Sequence, residues 1–228
     1  MRELVFLVHG FMRTGASMLP MAVGLRRRDF EVRVVSQINL HRDIPTLADG
    51  LFGRVERARD RIQAETGERP NAHFVTHSMG GIVVRSMLAR HEVTGPNRVV
   101  MLAPPNQGSR VAQKWRDDIL KLPWGGFDPL HKLLPGVRGQ CAAAGDPDAT
   151  FGVIAGVNPA SNSDGKVFVD EARWEHADDF IVVPYGHTMI MARPRVVQQT
   201  AAFLTTGRFL PPDVAERGAR GDAGGFEH

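Results

Sequence analysis

A serine stands between two apolar runs in the stretch "AHFVTHSMGGIVV", residues 72–84. The first run predicts a buried strand that ends near Thr76, and the second predicts a helix that begins near Gly80. A serine on such a tight turn is lifted out of the sheet, and small residues flank it because the helix passes close to the strand. Ser78 is therefore the candidate nucleophile, and an ordinary N-cap serine at a strand-to-helix turn is the alternative.

The residue two positions before the serine departs from the usual G-x-S-x-G pattern of such a turn, because it is Thr76. Its side chain crowds the contact between strand and helix without forbidding the turn. Gly80 occupies the small position after the serine, and Gly81 adds further room.

Two backbone N–H groups could hold the negative charge that develops when Ser78 attacks a carbonyl group. Met79 follows the serine at the start of the helix, whose dipole favours negative charge there. Phe11 follows the pair His9-Gly10 directly after the first apolar run, where hydrolases with this turn supply the second donor. Gly10 would let the backbone approach, and His9 would order the loop by a hydrogen bond.

A serine nucleophile needs a base, and the base needs an acid that orients it. His187 is the candidate base because it follows the last predicted strand, in "VVPYGHTMIM". It also comes after the serine, and enzymes with a serine on such a turn have the chain order Ser, then Asp or Glu, then His. A capping or packing role at the start of the last helix is the alternative for His187. Seven other histidines lie before the serine, beside it, inside predicted elements or in the tail: His41, His73, His77, His91, His131, His176 and His228. Of these, His77 is counted as a supporting residue.

Asp164 in "NSDGKVFV" is the candidate acid, since it lies in the loop after the penultimate strand and Gly165 allows a turn there. Its rivals are the carboxylates of Asp170, Glu171, Asp178 and Asp179. The last two precede the final strand and therefore belong at the opposite edge of the sheet from Ser78.

The wider hydrophobic pattern alternates strands with helices. Strands are predicted at residues 4–8, 31–35, 72–76, 98–103, 151–157 and 179–185, and helices at 18–28, 43–66, 80–91 and 187–204. This alternation predicts a doubly wound, mostly parallel α/β sheet with helices on both faces. Each candidate residue follows a strand, and sites in such sheets form at the carboxyl ends of strands.

Composition narrows the function classes. Of 228 residues, 43% are hydrophobic and 23% charged, a globular balance, and a net charge of +3 without an aromatic-basic platform argues against nucleic-acid binding.

The single cysteine, Cys141, excludes an internal disulfide and fits a reducing compartment, so we expect a cytoplasmic protein. No metal-binding spacing such as H-E-x-x-H occurs, so we expect no metal and no cofactor. No apolar run nears the ~18 residues of a membrane span, so we expect no stable membrane insertion.

The pattern weakens in two segments. Residues 104–148 hold proline, glycine, tryptophan and scattered leucine, and form either a small cap over the cleft or part of the core. Residues 211–228 are polar and rich in glycine, and we expect a flexible tail after one domain that spans residues 1–210.

These motifs resemble small bacterial α/β-hydrolases of the lipase/esterase type, related to triacylglycerol lipases and to GPI inositol deacylase-like hydrolases. The resemblance runs over residues 4–209 and rests on "LVHGFMRTGASM", "HFVTHSMGGIVVR", "VVMLAPPNQGS", "SDGKVFVDEAR", "VVPYGHTMIM" and "FLTTGRF". It implies an α/β-hydrolase fold with a minimal cap, in which Ser78, Asp164 and His187 form a catalytic triad and Phe11 and Met79 supply the oxyanion hole.

The same resemblance implies a serine hydrolase that cleaves small-molecule or lipid-like carboxylic esters through an acyl-enzyme. A thioesterase, amidase or acyltransferase with the same triad is an alternative, as is a binding protein that kept the fold without the chemistry. The sequence specifies neither the acyl chain nor an oligomeric state.

Overall fold

The structure is a computed structural model that describes residues 3–10, 13–36, 43–111, 114, 144, 145 and 147–211. Their strands are β1 (Leu4–Val8), β2 (Glu31–Val35), β3 (Ala72–His77), β4 (Arg98–Leu102), β5 (Thr150–Gly156) and β6 (Asp179–Val183). Their α-helices are α1 (Leu19–Arg26), α2 (Ile44–Thr66), α3 (Met79–Arg90), α4 (Val169–Ala172) and α5 (Pro194–Thr206). Two short 3₁₀ helices, Gly15–Met18 and Ile190–Ala192, precede α1 and α5.

The six strands form one sheet in the order β2-β1-β3-β4-β5-β6, and every neighbouring pair is parallel. Leu4 of β1 lies opposite Glu31 of β2 on one side and Ala72 of β3 on the other. The chain therefore winds in opposite directions from β1, and the carboxyl ends of all six strands meet at one edge. Sites in such sheets form where the winding reverses, which is outside the ends of β1 and β3.

Each face of the sheet carries an apolar core. Leu4, Phe6 and Val8 of β1 face the core that α2 and α3 cover. The alternate residues Val5 and Leu7 face the core that α1 and α5 cover. Burial on both faces explains why β1 appears in the sequence as an uninterrupted apolar run. It also fixes the positions of the loops that leave the carboxyl edge.

Most predicted elements are confirmed to within two residues, and the differences at the ends of the last strand and helix have local causes. The last helix, predicted from residue 187, begins at Pro194, because a proline fits the first turn of a helix but not its interior. Strand β6 ends at Val183, since Pro184 has no N–H to extend the ladder. The short helix Val169–Ala172 was not predicted, because four residues carry no helical period.

Several predictions fall outside the described residues. The proposed oxyanion donor Phe11 and the lone Cys141 are among them, as are most of the predicted cap at 104–148 and all of the predicted tail except Pro211. Within the part of the chain that the structure describes, no helix is both long enough and apolar enough to cross a membrane.

Candidate active site

The turn between β3 and α3 holds Ser78 in an unusual backbone conformation, with φ 55° and ψ −128°. Such a conformation costs a non-glycine residue on the order of 1–3 kcal/mol and is found mainly at functional sites. The Ser78 side chain makes no capping hydrogen bond to α3, so it is not an ordinary N-cap serine. The backbone N–H of Ser78 donates to Leu102 at 2.8 Å and that of Gly81 donates to Ser78 at 3.0 Å, which holds the turn in place.

Two glycines allow the backbone segments around Ser78 to approach closely. A β-carbon on Gly80 would lie 2.6 Å from the carbonyl oxygen of Val8, at the end of β1. A β-carbon on Gly10 would lie 2.9 Å from the β-carbon of Ser78. Larger residues at either position would push the loop after β1 away from the serine.

Thr76 is fully buried, and the structure shows how its bulk is accommodated. A β-carbon on Gly81 would lie 3.2 Å from the Thr76 hydroxyl oxygen. The absence of a side chain at Gly81 thus leaves the space that a threonine takes up in place of the usual glycine.

The backbone N–H of Met79 is suited to bind an anion beside Ser78. Met79 is the first residue of α3, so its N–H is one of the four that have no acceptor within a helix. On the other side, the buried His9 donates from Nδ1 to the carbonyl of Gly10 at 2.8 Å, as the sequence suggested for this loop. Burial lowers the pKa of His9, which favours the neutral form of its ring.

His187 and Asp164 lie in the loops that follow β6 and β5, two neighbouring strands. The Nδ1–H of His187 donates to Oδ2 of Asp164 at 2.7 Å, and the backbone N–H of His187 donates to the Asp164 carbonyl at 2.9 Å. The exposed fraction of the side chain is only 6% for His187 and 1% for Asp164. The two residues therefore form a buried, doubly bonded pair at the carboxyl edge of the sheet.

The Asp164 carboxylate is oriented by its own loop. Its second oxygen, Oδ1, accepts from the backbone N–H of Lys166 at 2.9 Å and of Val167 at 2.8 Å. Because each oxygen has separate donors, the carboxylate cannot rotate without losing hydrogen bonds. This arrangement places the His187 proton on Nδ1 and leaves the lone pair on Nε2.

His77 links the histidine loop to the serine turn. Its Nε2–H donates to the backbone carbonyl of His187 at 2.9 Å, and the two ring centroids are 4.7 Å apart. In the structure, no hydrogen bond joins Ser78 Oγ to His187 Nε2. Catalytic hydrogen bonds are often long in ligand-free sites and shorten when substrate binds.

His77 is buried, and its surroundings favour the neutral ring. Desolvation lowers its pKa well below the usual value, and the charges of His187, Arg13 and Lys166 lower it further, against a smaller opposing effect of its backbone hydrogen bond. Sequence analysis assigned His77 only a supporting role, because its hydrogen-bond partner lies 110 residues away and leaves no local pattern.

The rival acids that follow Asp164 have other partners. The buried Glu171 accepts from the backbone N–H of Arg110 at 2.7 Å and of Phe168 at 2.9 Å, which anchors the loop after β4 and the start of α4. Asp170 is exposed and forms an ion pair with Arg110. Neither carboxylate bonds to His187.

Asp178 and Asp179 lie at the amino end of β6, as expected. Asp178 accepts from the backbone N–H of Phe151 and Asp179 from that of Phe209, each at 2.8 Å. These carboxylates tie chain segments together at the opposite edge of the sheet. His187 in turn does not cap a helix, because the next helical turn begins at Ile190.

A cleft with a volume of about 300 Å³ opens beside the pair. Its walls come from the two loops after β5 and β6. The residues that line it are Asp164, Gly165, Lys166, Gly186, His187, Thr188, Met189 and Arg193. Among the described residues, the side chains of His, Cys, Asp and Glu form no group of three or more that could hold a metal ion.

No family model and no curated protein matches the chain. Solved structures do match it, and the three described here are each less than 20% identical to it. The product of the gene lin2722 from Listeria innocua is 15% identical with a TM-score of 0.59, and the match covers 93% of this chain and 96% of the other. Phospholipase PlaB from Legionella pneumophila is 18% identical with a TM-score of 0.66, over 91% of this chain and 57% of PlaB.

A third match is the metagenomic carboxyl esterase MGS0156, at 17% identity and a TM-score of 0.61. It covers 82% of this chain and 65% of the esterase, so the chain spans less than two thirds of both PlaB and MGS0156. The finer resemblance to GPI inositol deacylase-like hydrolases stays a prediction. The parallel six-stranded sheet and these likenesses show that the chain has the α/β-hydrolase fold.

Proposed function

We propose that the protein is a serine hydrolase that cleaves carboxylic esters through an acyl-enzyme intermediate. The observation that carries this proposal is the buried His187–Asp164 pair next to the strained Ser78 turn. A neutral histidine with its proton fixed on Nδ1 is the form that can accept a proton from a serine. The names of two solved neighbours, a phospholipase and a carboxyl esterase, support esters as the substrate class.

The first half of the reaction acylates Ser78. His187 Nε2 takes the hydroxyl proton while Ser78 Oγ bonds to the ester carbonyl carbon, and the carbonyl oxygen becomes an oxyanion. The N–H groups of Met79 and Phe11 hold this oxyanion, and losing one such donor typically lowers the rate ~10²–10³-fold. The carbon–oxygen bond of the ester then breaks, and His187 gives its proton to the departing alcohol.

The second half releases the acid. Water takes the place of the alcohol, His187 removes its proton, and the hydroxide bonds to the acyl carbon. Collapse of this intermediate returns the proton to Ser78 and frees the carboxylic acid. Asp164 keeps its negative charge throughout and stabilises the imidazolium that forms twice per cycle.

A panel of 4-nitrophenyl esters from acetate to palmitate tests the proposal. The native protein should hydrolyse at least one chain length, and Ser78→Ala should reduce the rate to that of buffer while the circular dichroism spectrum stays unchanged. Ser36→Ala, which removes an exposed hydroxyl at the end of β2, is the matched control and should keep full activity. Hydrolysis that survives Ser78→Ala would contradict the proposal, and a matching panel of thioesters and amides would reveal a different acyl-transfer substrate.

A further inference from the structure

The cleft beside His187 has two positively charged side chains at its rim. Lys166 follows Asp164 in the loop after β5, and Arg193 directly precedes α5. Both residues are exposed, although each contributes to the wall of the cleft. A ligand that occupies this cleft therefore lies beside an ammonium and a guanidinium group.

These two cations lack acidic partners within the described parts of the chain. Neither Lys166 nor Arg193 forms an ion pair there, and the guanidinium of Arg193 lies 5.2 Å from the ring centre of Tyr185. Some other exposed arginines do form ion pairs, for example Arg61 with Glu65.

The cleft also offers no carboxylate that could neutralise the rim. Asp164 is the one acidic residue among those that line it. Its oxygens are occupied by His187 and by two backbone N–H groups, and its side chain is almost fully buried. The accessible surface of the cleft is thus positive.

The positive charges near the buried His77 give further support for a positively charged cleft. The charges of Lys166 and Arg13 are close enough to the buried His77 to lower its pKa. Arg13 belongs to the loop after β1, so positive charge surrounds the site from more than one loop.

The chemistry decides which part of a substrate meets this rim. His187 must deliver a proton to the departing alcohol oxygen, so that oxygen lies against the His187 ring. Lys166, Thr188 and Arg193 line the same cleft as His187. An alcohol portion that extends from this oxygen into the cleft therefore meets these side chains.

We propose that the protein prefers esters whose alcohol carries a phosphate or carboxylate close to the ester oxygen, and that Lys166 and Arg193 bind this anionic group. The inference rests on the proposed function, because it assigns the substrate class of the same site. The overall reaction takes up one water and yields the carboxylic acid and the anionic alcohol.

The test compares three octanoyl esters below their micelle concentrations, so that no lipid surface is present: 1-octanoylglycerol, 1-octanoylglycerol 3-phosphate and 3-octanoylglycerate. Released octanoate is measured by mass spectrometry. At low salt, kcat/KM should be about tenfold higher for the phosphate than for the neutral ester, since two exposed charge pairs contribute about threefold each. The carboxylate ester should fall between them, and 0.5 M NaCl should bring the three values together.

Side-chain variants locate the effect. Lys166→Gln and Arg193→Gln should each lower the ratio of phosphate to neutral ester about threefold, and Lys166→Arg should restore it. Arg61→Gln removes the same charge from an exposed position on α2 and is the control that should leave the ratio unchanged. These outcomes together would support the subsite.

Two results would overturn the inference in distinguishable ways. Equal kcat/KM values for charged and neutral esters, with both rates abolished by Ser78→Ala, would refute the anionic subsite and leave the proposed function standing. An absence of any hydrolysis that depends on Ser78, across all three esters and the 4-nitrophenyl panel, would refute both.

Discussion

The substitution Asp164→Asn changes one atom of a carboxylate whose hydrogen bonds are all assigned. Oδ1 accepts from the backbone N–H groups of Lys166 and Val167, and Oδ2 accepts from His187 Nδ1. An asparagine keeps its oxygen toward the two backbone donors, because the flipped amide would set its NH₂ group against both of them. The amide NH₂ then faces His187.

The amide proton forces His187 into the wrong tautomer. Nδ1 must accept a hydrogen bond from the asparagine, so the ring proton moves to Nε2. Nε2 then has no lone pair with which to take a proton from Ser78. We therefore expect kcat for 4-nitrophenyl butyrate to fall about 10⁴-fold, the scale seen when a triad acid is neutralised, which corresponds to about 5.4 kcal/mol in the activation barrier. All three hydrogen bonds can still form, the one to His187 with its direction reversed, so the protein should stay folded.

The assay is steady-state hydrolysis of 4-nitrophenyl butyrate, with the thermal unfolding midpoint measured on the same samples. Asp170→Asn is the matched control, because Asp170 is exposed and bonds to Arg110 rather than to His187. It should retain nearly all activity. Loss of less than tenfold in Asp164→Asn, or an equal loss in Asp170→Asn, would refute the assigned role of Asp164.

Three further predictions concern the support of the site. Because burial holds the pKa of His77 well below its usual value, the unfolded chain binds a proton below about pH 6.5 that the folded chain does not. The free energy of unfolding should therefore decrease as the pH is lowered below about 6.5. His77→Gln should reduce the dependence of this free energy on pH by up to about 1.4 kcal/mol per pH unit, measured by urea titrations at pH 5 and 6. His77→Phe should lower kcat about tenfold with KM little changed, since the loop of His187 loses its backbone anchor; a change in KM alone would contradict this. Gly80→Ala should destabilise the fold by about 2 kcal/mol or more through its clash with Val8, whereas Gly50→Ala on the exposed face of α2 should stabilise it by roughly 0.5–1 kcal/mol; thermal unfolding of both variants decides.

The sequence predicts the central strands well because they are buried on both faces. All five residues of Leu4–Val8 and three of the six in Ala72–His77 are apolar, so the positions of both strands follow largely from hydrophobicity. The short helix Val169–Ala172 gives no such signal. It is held by the buried carboxylate of Glu171, which in sequence looks like a rival acid.

The placement of Asp164 beside His187 follows from topology, since both residues come just after parallel strands. Contacts between residues that are distant in the sequence could not be predicted in this way. The hydrogen bond from His77 to the His187 carbonyl and the accommodation of Thr76 at Gly81 both depend on how the loops pack. The rim of Lys166 and Arg193 likewise joins residues that no local pattern connects.

The central claim is that Ser78 is a nucleophile activated by His187. The most direct measurement is labelling with a fluorophosphonate, followed by digestion and mass spectrometry of the modified peptide. The claim predicts one adduct, on Ser78, which is absent in Ser78→Ala and forms far more slowly in His187→Ala. An adduct on a different residue, or no adduct on folded protein, would contradict it.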